Sequence, residues 1–232
     1  METEYKFTYT GHENLLVMQH ARNYNGFLGQ LIRRHAEGAR TIVDFGAGVG
    51  ALAQTVRPWA HKLVCVEPDA VQTDMLKAAG YEVVDSISAL PEGGVDYVYT
   101  VNVMEHIQDD RAILSEIFKA LRPGGRLLVY VPALQWLHSS MDAAVGHVRR
   151  YHMKDLIQKV TDAGFVVERR EYVDCLGVPA SLAYKWAGSS SGRINVGALS
   201  AYDRFVFPVS RALDTLFGRV GGKNLLVVCE RP

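Results

Sequence analysis

The sequence predicts an α/β fold, a parallel sheet covered by helices on both faces. Two observations carry this. Short apolar runs alternate with stretches of helical spacing, and a glycine cluster directly follows the first run. Apolar residues at Leu15, Leu16, Met18, Tyr24, Phe27, Leu28, Leu31 and Ile32 predict one or two amphipathic helices over residues 12–37. The runs TIVDF, KLVCVE, YEVVD, DYVYTVN and RLLVYVP then read as strands. Between the last two, Ala112, Ile113, Ile117, Phe118 and Leu121 share one face of a helix over Asp109–Leu121 that RPGG should stop. A further helix near Met153–Ala163 ends at Gly164, and FVVERREYV and KNLLVVCE read as the last two strands. Residues 176–222 are helical but broken by GSSSGRINVG, an insert expected to be a mobile loop in a cap. We read residues 1–232 as one domain, with a core over 41–175, the cap over 176–222 and a final strand over 223–230.

Composition removes several classes of function. With 25 basic and 25 acidic residues the formal net charge is zero, so no global field recruits nucleic acid or an acidic membrane. The longest apolar run, Leu127–Leu134, is too short for a bilayer span of about 20 residues. The amino-terminal segment METEYKFTYT is too polar for a secretion signal. Cys65, Cys175 and Cys229 form no C-x-x-C pair, and no His, Asp, Glu or Cys residues cluster at ligand spacing along the chain. The expectation is a cytoplasmic protein with no metal, no membrane span and no nucleic-acid partner.

In an open α/β sheet, ligands lie outside the carboxyl ends of the strands where strand order reverses. The first strand ends in Asp44, followed by Gly46, Ala47, Gly48, Val49 and Gly50. Gly46, Gly48 and Ala51 match a dinucleotide fingerprint literally, and Glu67, about 20 residues on, suits a ribose in either kind of nucleotide site. Asp44 discriminates between them. Beside a pyrophosphate a carboxylate would be repelled by roughly 4 kcal/mol at 4 Å for an effective dielectric of 20. Beside the ammonium and sulfonium of S-adenosylmethionine it is attracted.

The ordered series VDFGAGVG, VEPD, VVD, YTVNVMEHI and LRPGGRLLVYVP, spanning Thr41–Pro132, resembles the motif series of the class I S-adenosylmethionine-dependent methyltransferases. The segment W…D…GHVRRY and the terminal NLLVVCERP are similar to a branch acting on small molecules. The resemblance implies a Rossmann-like, seven-stranded, mostly parallel sheet whose last strand is antiparallel and inserted beside the fifth. It also implies a cofactor site. Gly46, Ala47 and Gly48 would pass beneath the homocysteine part, with Asp44 near its ammonium. Glu67 would hold the ribose, with Pro68 and Asp69 shaping that pocket, and Asp85, with Ser86 and Ile87, would meet the adenine. Asn102, Val103 and Met104 would lie near the methionine part, Glu105 and His106 would floor the transfer site, and Tyr24 would lie over the cofactor.

Displacement at a sulfonium methyl needs a positioned nucleophile, and a base only where that nucleophile is protonated. His106 and His147 are the candidate bases, and Asp142 is placed to orient His147. Arg149 and Arg150, beside Tyr151, offer two cationic forks for an anionic acceptor, and Trp136, His138 and Met141 are candidates for lining its pocket. The stretch YDRFVFPVSRALDTLF caps the substrate, packs on the core or forms a homodimer face. The leading reading is methyl transfer to a small molecule, most readily at oxygen. An NAD-dependent oxidoreductase and a catalytically inactive S-adenosylmethionine-binding partner protein are the alternatives.

Overall fold

The computed structural model describes residues 17–186 and 195–232. The expected helical positions 12–16 and most of the GSSSGRINVG insert lie outside the described residues. After helix α1 (Arg22–His35) come strand β1 (Thr41–Phe45), α2 (Ala51–Val56), β2 (Lys62–Val66), α3 (Ala70–Ala78), β3 (Glu82–Val84) and β4 (Val95–Val101). Helix α4 (Asp110–Ala120) leads into β5 (Leu121–Pro132), followed by α5 (Ser140–Ala144), α6 (Met153–Asp162) and β6 (Val166–Val173). The cap holds α7 (Gly177–Trp186), α8 (Val196–Ala201), a π turn (Tyr202–Val206) and α9 (Phe207–Phe217) before the closing strand β7 (Asn224–Glu230).

The seven strands form one sheet in the order β3-β2-β1-β4-β5-β7-β6. Strand β7 runs antiparallel to both neighbours, between β5 and β6, and the remaining pairings are parallel. Alternating side chains feed the two faces. Val43, Val98, Val129 and Val227 enter one apolar layer, and Ile42, Tyr97, Leu128 and Leu226 enter the other, which α1 covers with Leu28, Leu31 and Ile32.

One boundary differs from the sequence reading. Helix α4 ends at Ala120, and Leu121 already pairs with Val95 while Arg126 pairs with Tyr97, so RPGG bulges from within β5. Asp109 caps α4 through the Ala112 amide, and Leu114 joins Ile117 and Ala120 on its buried face.

The chain leaves β1 toward β2 and β3, then returns across the sheet to β4 on the other side of β1. The order therefore reverses between β1 and β4, and the carboxyl ends of these two strands are where the ligand crevice of an open α/β sheet lies. The cap closes toward that crevice through buried polar contacts. Asp174, at the end of β6, accepts from the Ser210 and Tyr202 hydroxyls at 2.8 and 2.6 Å. Asp203 of the π turn accepts the amides of Asn23 and Tyr24 at 2.9 and 2.8 Å, and its carbonyl accepts from the Asn23 side chain. A residue 180 positions away thus caps α1, whose own Ala21 has no capping side chain.

Asp203→Ala removes an acceptor from two helix-terminal amides. It should lower stability by about 1–2 kcal/mol in urea denaturation. Amide exchange should accelerate selectively at Asn23 and Tyr24; unchanged exchange there would contradict the cap assignment.

Candidate active site

Asp44 is the penultimate residue of the central strand β1, only 3% exposed, and its Oδ2 atom has no hydrogen-bond partner. Burial pushes its pKa up to about 7, and the Glu67 charge adds to the shift. The following turn needs glycine. Gly46 has φ +79°, and a Cβ there would sit 2.3 Å from the Val103 side chain after β4. The missing side chain lets the β1 and β4 turns touch.

Glu67 is the strut of the turn. Its Oε2 accepts the Gly48 amide at 2.8 Å and its Oε1 the Asp69 amide at 3.0 Å. Burial still raises its pKa, against those two donors. Each carboxylate oxygen keeps a second lone pair for another donor. Asp69 is committed to capping α3 through the Val71 and Gln72 amides, and Pro68 is exposed. Asp85 stands exposed at the end of edge strand β3, Ser86 caps the short turn Ile87–Ala89, and Ile87 is buried.

After β4 the backbone turns through Asn102, whose φ of +54° is left-handed. The Asn102 amide donates to the Tyr130 carbonyl at 2.8 Å and its side chain donates to the Tyr24 hydroxyl at 3.2 Å. Tyr24 packs edge-on against Phe207 of the cap at 5.4 Å. Burial raises its phenol to about 12, so it stays protonated. The fold thus brings Tyr24 and Asn102 into contact at the carboxyl end of β4.

The other end of the crevice is built from the turn Met104–His106 and the loop after α5. Glu105 is fully buried, and neither carboxylate oxygen has a hydrogen-bond partner. Burial raises its pKa to about 8, partly countered by Arg150. The Val148 amide donates to the Glu105 carbonyl at 2.9 Å and pins the loop there. His147 Nδ1 lies 2.8 Å from Asp142 Oδ1, and its Nε2 lies 3.7 Å from Glu105 Oε1. The His106 ring stands edge-on to His147, centroids 4.7 Å apart. Burial, with the neighbouring His147, lowers His106 to about 4.

The arginines do not serve as open forks. Arg150 is bidentate on Asp142, Nε at 2.8 Å and Nη2 at 3.0 Å, with a third contact to the Ala133 carbonyl. Arg149 pairs with Asp110 at 2.7 Å and donates to the Gln108 carbonyl. The buried Tyr151 hydroxyl donates to Asp110 and sits 3.0 Å from the Met104 carbonyl. The physical reason is shared: Asp142 and Asp110 are buried carboxylates, and these side chains are their compensation. Trp136 is half-exposed, and its carbonyl accepts from Lys185 of α7. His138 faces the His147 carbonyl at 3.4 Å, and Met141 is half-buried.

Against its own burial, Asp142 is held well below the usual carboxylate range by His147 and Arg150. Its second oxygen also takes the Ser139 amide and hydroxyl. Asp142 therefore holds the His147 ring by its Nδ1 nitrogen. Sequence spacing missed the cluster itself. Glu105 and His106 are adjacent in the chain, but His147 lies 41 residues away, and only the fold joins the three.

A family model described as a methyltransferase domain matches residues 18–169. A Mycolicibacterium smegmatis protein named "Probable S-adenosylmethionine-dependent methyltransferase" is 30% identical over 152 residues, covering 62% of this chain and 57% of that protein. The chain spans about half the length of the curated relatives it matches. Among solved structures, a SAM-dependent methyltransferase from Archaeoglobus fulgidus aligns over 94% of this chain and 99% of its own, with TM-score 0.62 and 16% identity. A geranyl diphosphate C-methyltransferase from Streptomyces coelicolor A3(2), in complex with S-adenosyl-L-homocysteine among its ligands, aligns over 89% and 77%, with TM-score 0.61 and 16% identity. At that identity the structural likeness speaks for the fold alone.

Asp142→Ala strands Arg150, whose side chain is 8% exposed, without its carboxylate. Removing one member of such a pair should destabilise the fold by about 3 kcal/mol or more, read as a lower urea midpoint. Arg149→Ala, at a more exposed pair, should be milder. Equal losses in the two variants would contradict the bracing role of Asp142.

Proposed function

The chain belongs to the class I S-adenosylmethionine-dependent methyltransferases, and from that premise we propose that it moves the cofactor's methyl group to a hydroxyl oxygen of a small-molecule acceptor. One observation carries the cofactor assignment. Asp44 is a buried carboxylate with an unpartnered oxygen at the strand end beside a glycine turn, and a cationic amino-acid group would complete it. A pyrophosphate would not, which disfavours the NAD-dependent alternative. The residues fit the group in other respects too. Glu67 holds the turn while keeping acceptor capacity for ribose hydroxyls, and Gly46 lets the two turns close. Asp85, exposed at the end of β3, is assigned to the adenine amine, with Ser86 and Ile87 beside the ring. Bound there, S-adenosylmethionine supplies a methyl group on a good leaving group.

The chain's own work is positioning. Tyr24 and Asn102 form a side wall, and the cap holds Tyr24 through Asp203 and Phe207. His147, fixed by Asp142, orients the acceptor hydroxyl, with His106 and Glu105 beside it. Near-attack alignment of that oxygen supplies much of the rate. Anionic acceptors are not favoured, since Arg149 and Arg150 are occupied by Asp110 and Asp142. No helix among the described residues is long and apolar enough to cross a membrane.

Transfer from methyl-labelled S-adenosylmethionine to panels of hydroxyl, amine and carbon acceptors tests this directly. Products should be O-methylated, and His147→Ala should slow transfer by about a hundredfold. Its affinity for S-adenosylmethionine should stay within about twofold, since cofactor and acceptor groups occupy different strand ends. Tight cofactor binding without transfer to any panel would instead support an inactive binding protein; transfer confined to amines or carbon would refute the oxygen assignment.

A further inference from the structure

Glu105, His106 and His147 each present one potential ligand atom, and these atoms all lie within 4.8 Å of one another. We propose that these three side chains bind a divalent first-row transition metal, with zinc the best match to two imidazoles and one carboxylate.

Geometry and satisfaction both support the site. Glu105 is fully buried, and neither of its oxygens has a hydrogen-bond partner, while a ligand atom of each of two histidines lies within 4.8 Å of the carboxylate. Its Oε1 instead faces His147 Nε2 at 3.7 Å. The far side of that imidazole is already fixed. Nδ1 is held by Asp142 at 2.8 Å, the carboxylate–histidine arrangement that orients a metal-binding ring. Asp142 is in turn locked by Arg150 and Ser139, so the orienting shell is rigid. His106 has a hydrogen bond with the Gly146 backbone, one residue before His147. Metal–ligand bonds of about 2.0–2.2 Å place tetrahedral ligand atoms roughly 3.3 Å apart. The three atoms need to contract by at most about 1.5 Å, which side-chain rotation supplies.

Three protein donors leave a zinc ion a position for water or another oxygen. Use of that position by the acceptor hydroxyl rests on the function proposed above; metal binding itself does not. The site would sit where the acceptor end of the crevice ends in Glu105, distinct from the Asp44 and Glu67 end that takes the cofactor.

The test uses the full chain, stripped with chelator and dialysed. Titration with Co2+ should give an intense visible d–d spectrum of a low-coordinate N/O site at one equivalent, and Zn2+ should displace it. Glu105→Gln, His106→Ala and His147→Ala should each weaken Co2+ binding at least a hundredfold. Asp142→Asn should weaken it about tenfold through loss of ring orientation. Circular dichroism establishes that each variant is folded, and the near-isosteric Glu105→Gln carries the conclusion should a histidine variant unfold. Affinity for S-adenosylmethionine, measured on the same stripped protein, is expected to be retained. Loss of cofactor binding with metal binding intact would fault the methyltransferase reading alone. Absence of a one-equivalent Co2+ spectrum, or the same spectrum in Glu105→Gln and His147→Ala, overturns the metal site.

Discussion

Two carboxylates are buried at adjacent central strands, Asp44 near the end of β1 and Glu105 just after β4, and Asp44 Oδ2 and both Glu105 oxygens lack a hydrogen-bond partner. Burying such groups is unfavourable, and the fold shows the strain as pKa values raised to about 7 and about 8. An acid whose folded pKa lies above its unfolded value takes stability from the fold as pH rises between the two. For Asp44 that window runs from about 4 to about 7. A protein keeps such groups where a ligand completes them, and the surrounding elements keep them in place.

The supports come from distant parts of the chain. Glu67 holds the turn after Asp44 from the neighbouring strand, and the bare Cα of Gly46 lets the Asp44 and Glu105 turns approach. Asp142 and Arg150 hold the loop carrying His147, and the Val148 amide fastens that loop to Glu105 itself. The cap reaches the same crevice by another route. Asp203 caps α1, α1 presents Tyr24, and Tyr24 accepts from Asn102. The Asp44 turn, the Glu105–His147 cluster and the cap are thus mechanically joined through backbone-anchored side chains.

Much of this was legible in the sequence because it is written locally. Seven apolar runs, the glycine cluster and the acidic strand ends lie in order along Thr41–Glu230, and strand-end logic singles out Asp44 and Glu67, both of which the fold buries. The antiparallel seating of β7 followed from the family resemblance. What the sequence hid is non-local compensation. Arg149 and Arg150 look like free anion forks until buried Asp110 and Asp142 are seen to occupy them. Asp203 looks like one more charge on a cap helix until it meets α1. The Glu105–His106–His147 cluster escapes spacing rules because its third member arrives from a separate loop.

In the proposed function Asp44 is the counter-charge for the cofactor's cationic end. Two groups bear on it besides burial: the Tyr99 hydroxyl by hydrogen bond and the Glu67 carboxylate by charge. A ligand ammonium favours the ionised carboxylate, so binding must release a proton below the raised pKa. Calorimetric titration with S-adenosylmethionine between pH 5.5 and 7 (roughly the window below the raised pKa) measures this directly. Wild-type affinity should fall toward lower pH by up to about tenfold per unit, with proton uptake by buffer on binding. Asp44→Asn should bind at least about tenfold more weakly at pH 7 and lose most of that slope. Wild-type affinity that is flat across the window, matched by an unchanged affinity in Asp44→Asn, would contradict it.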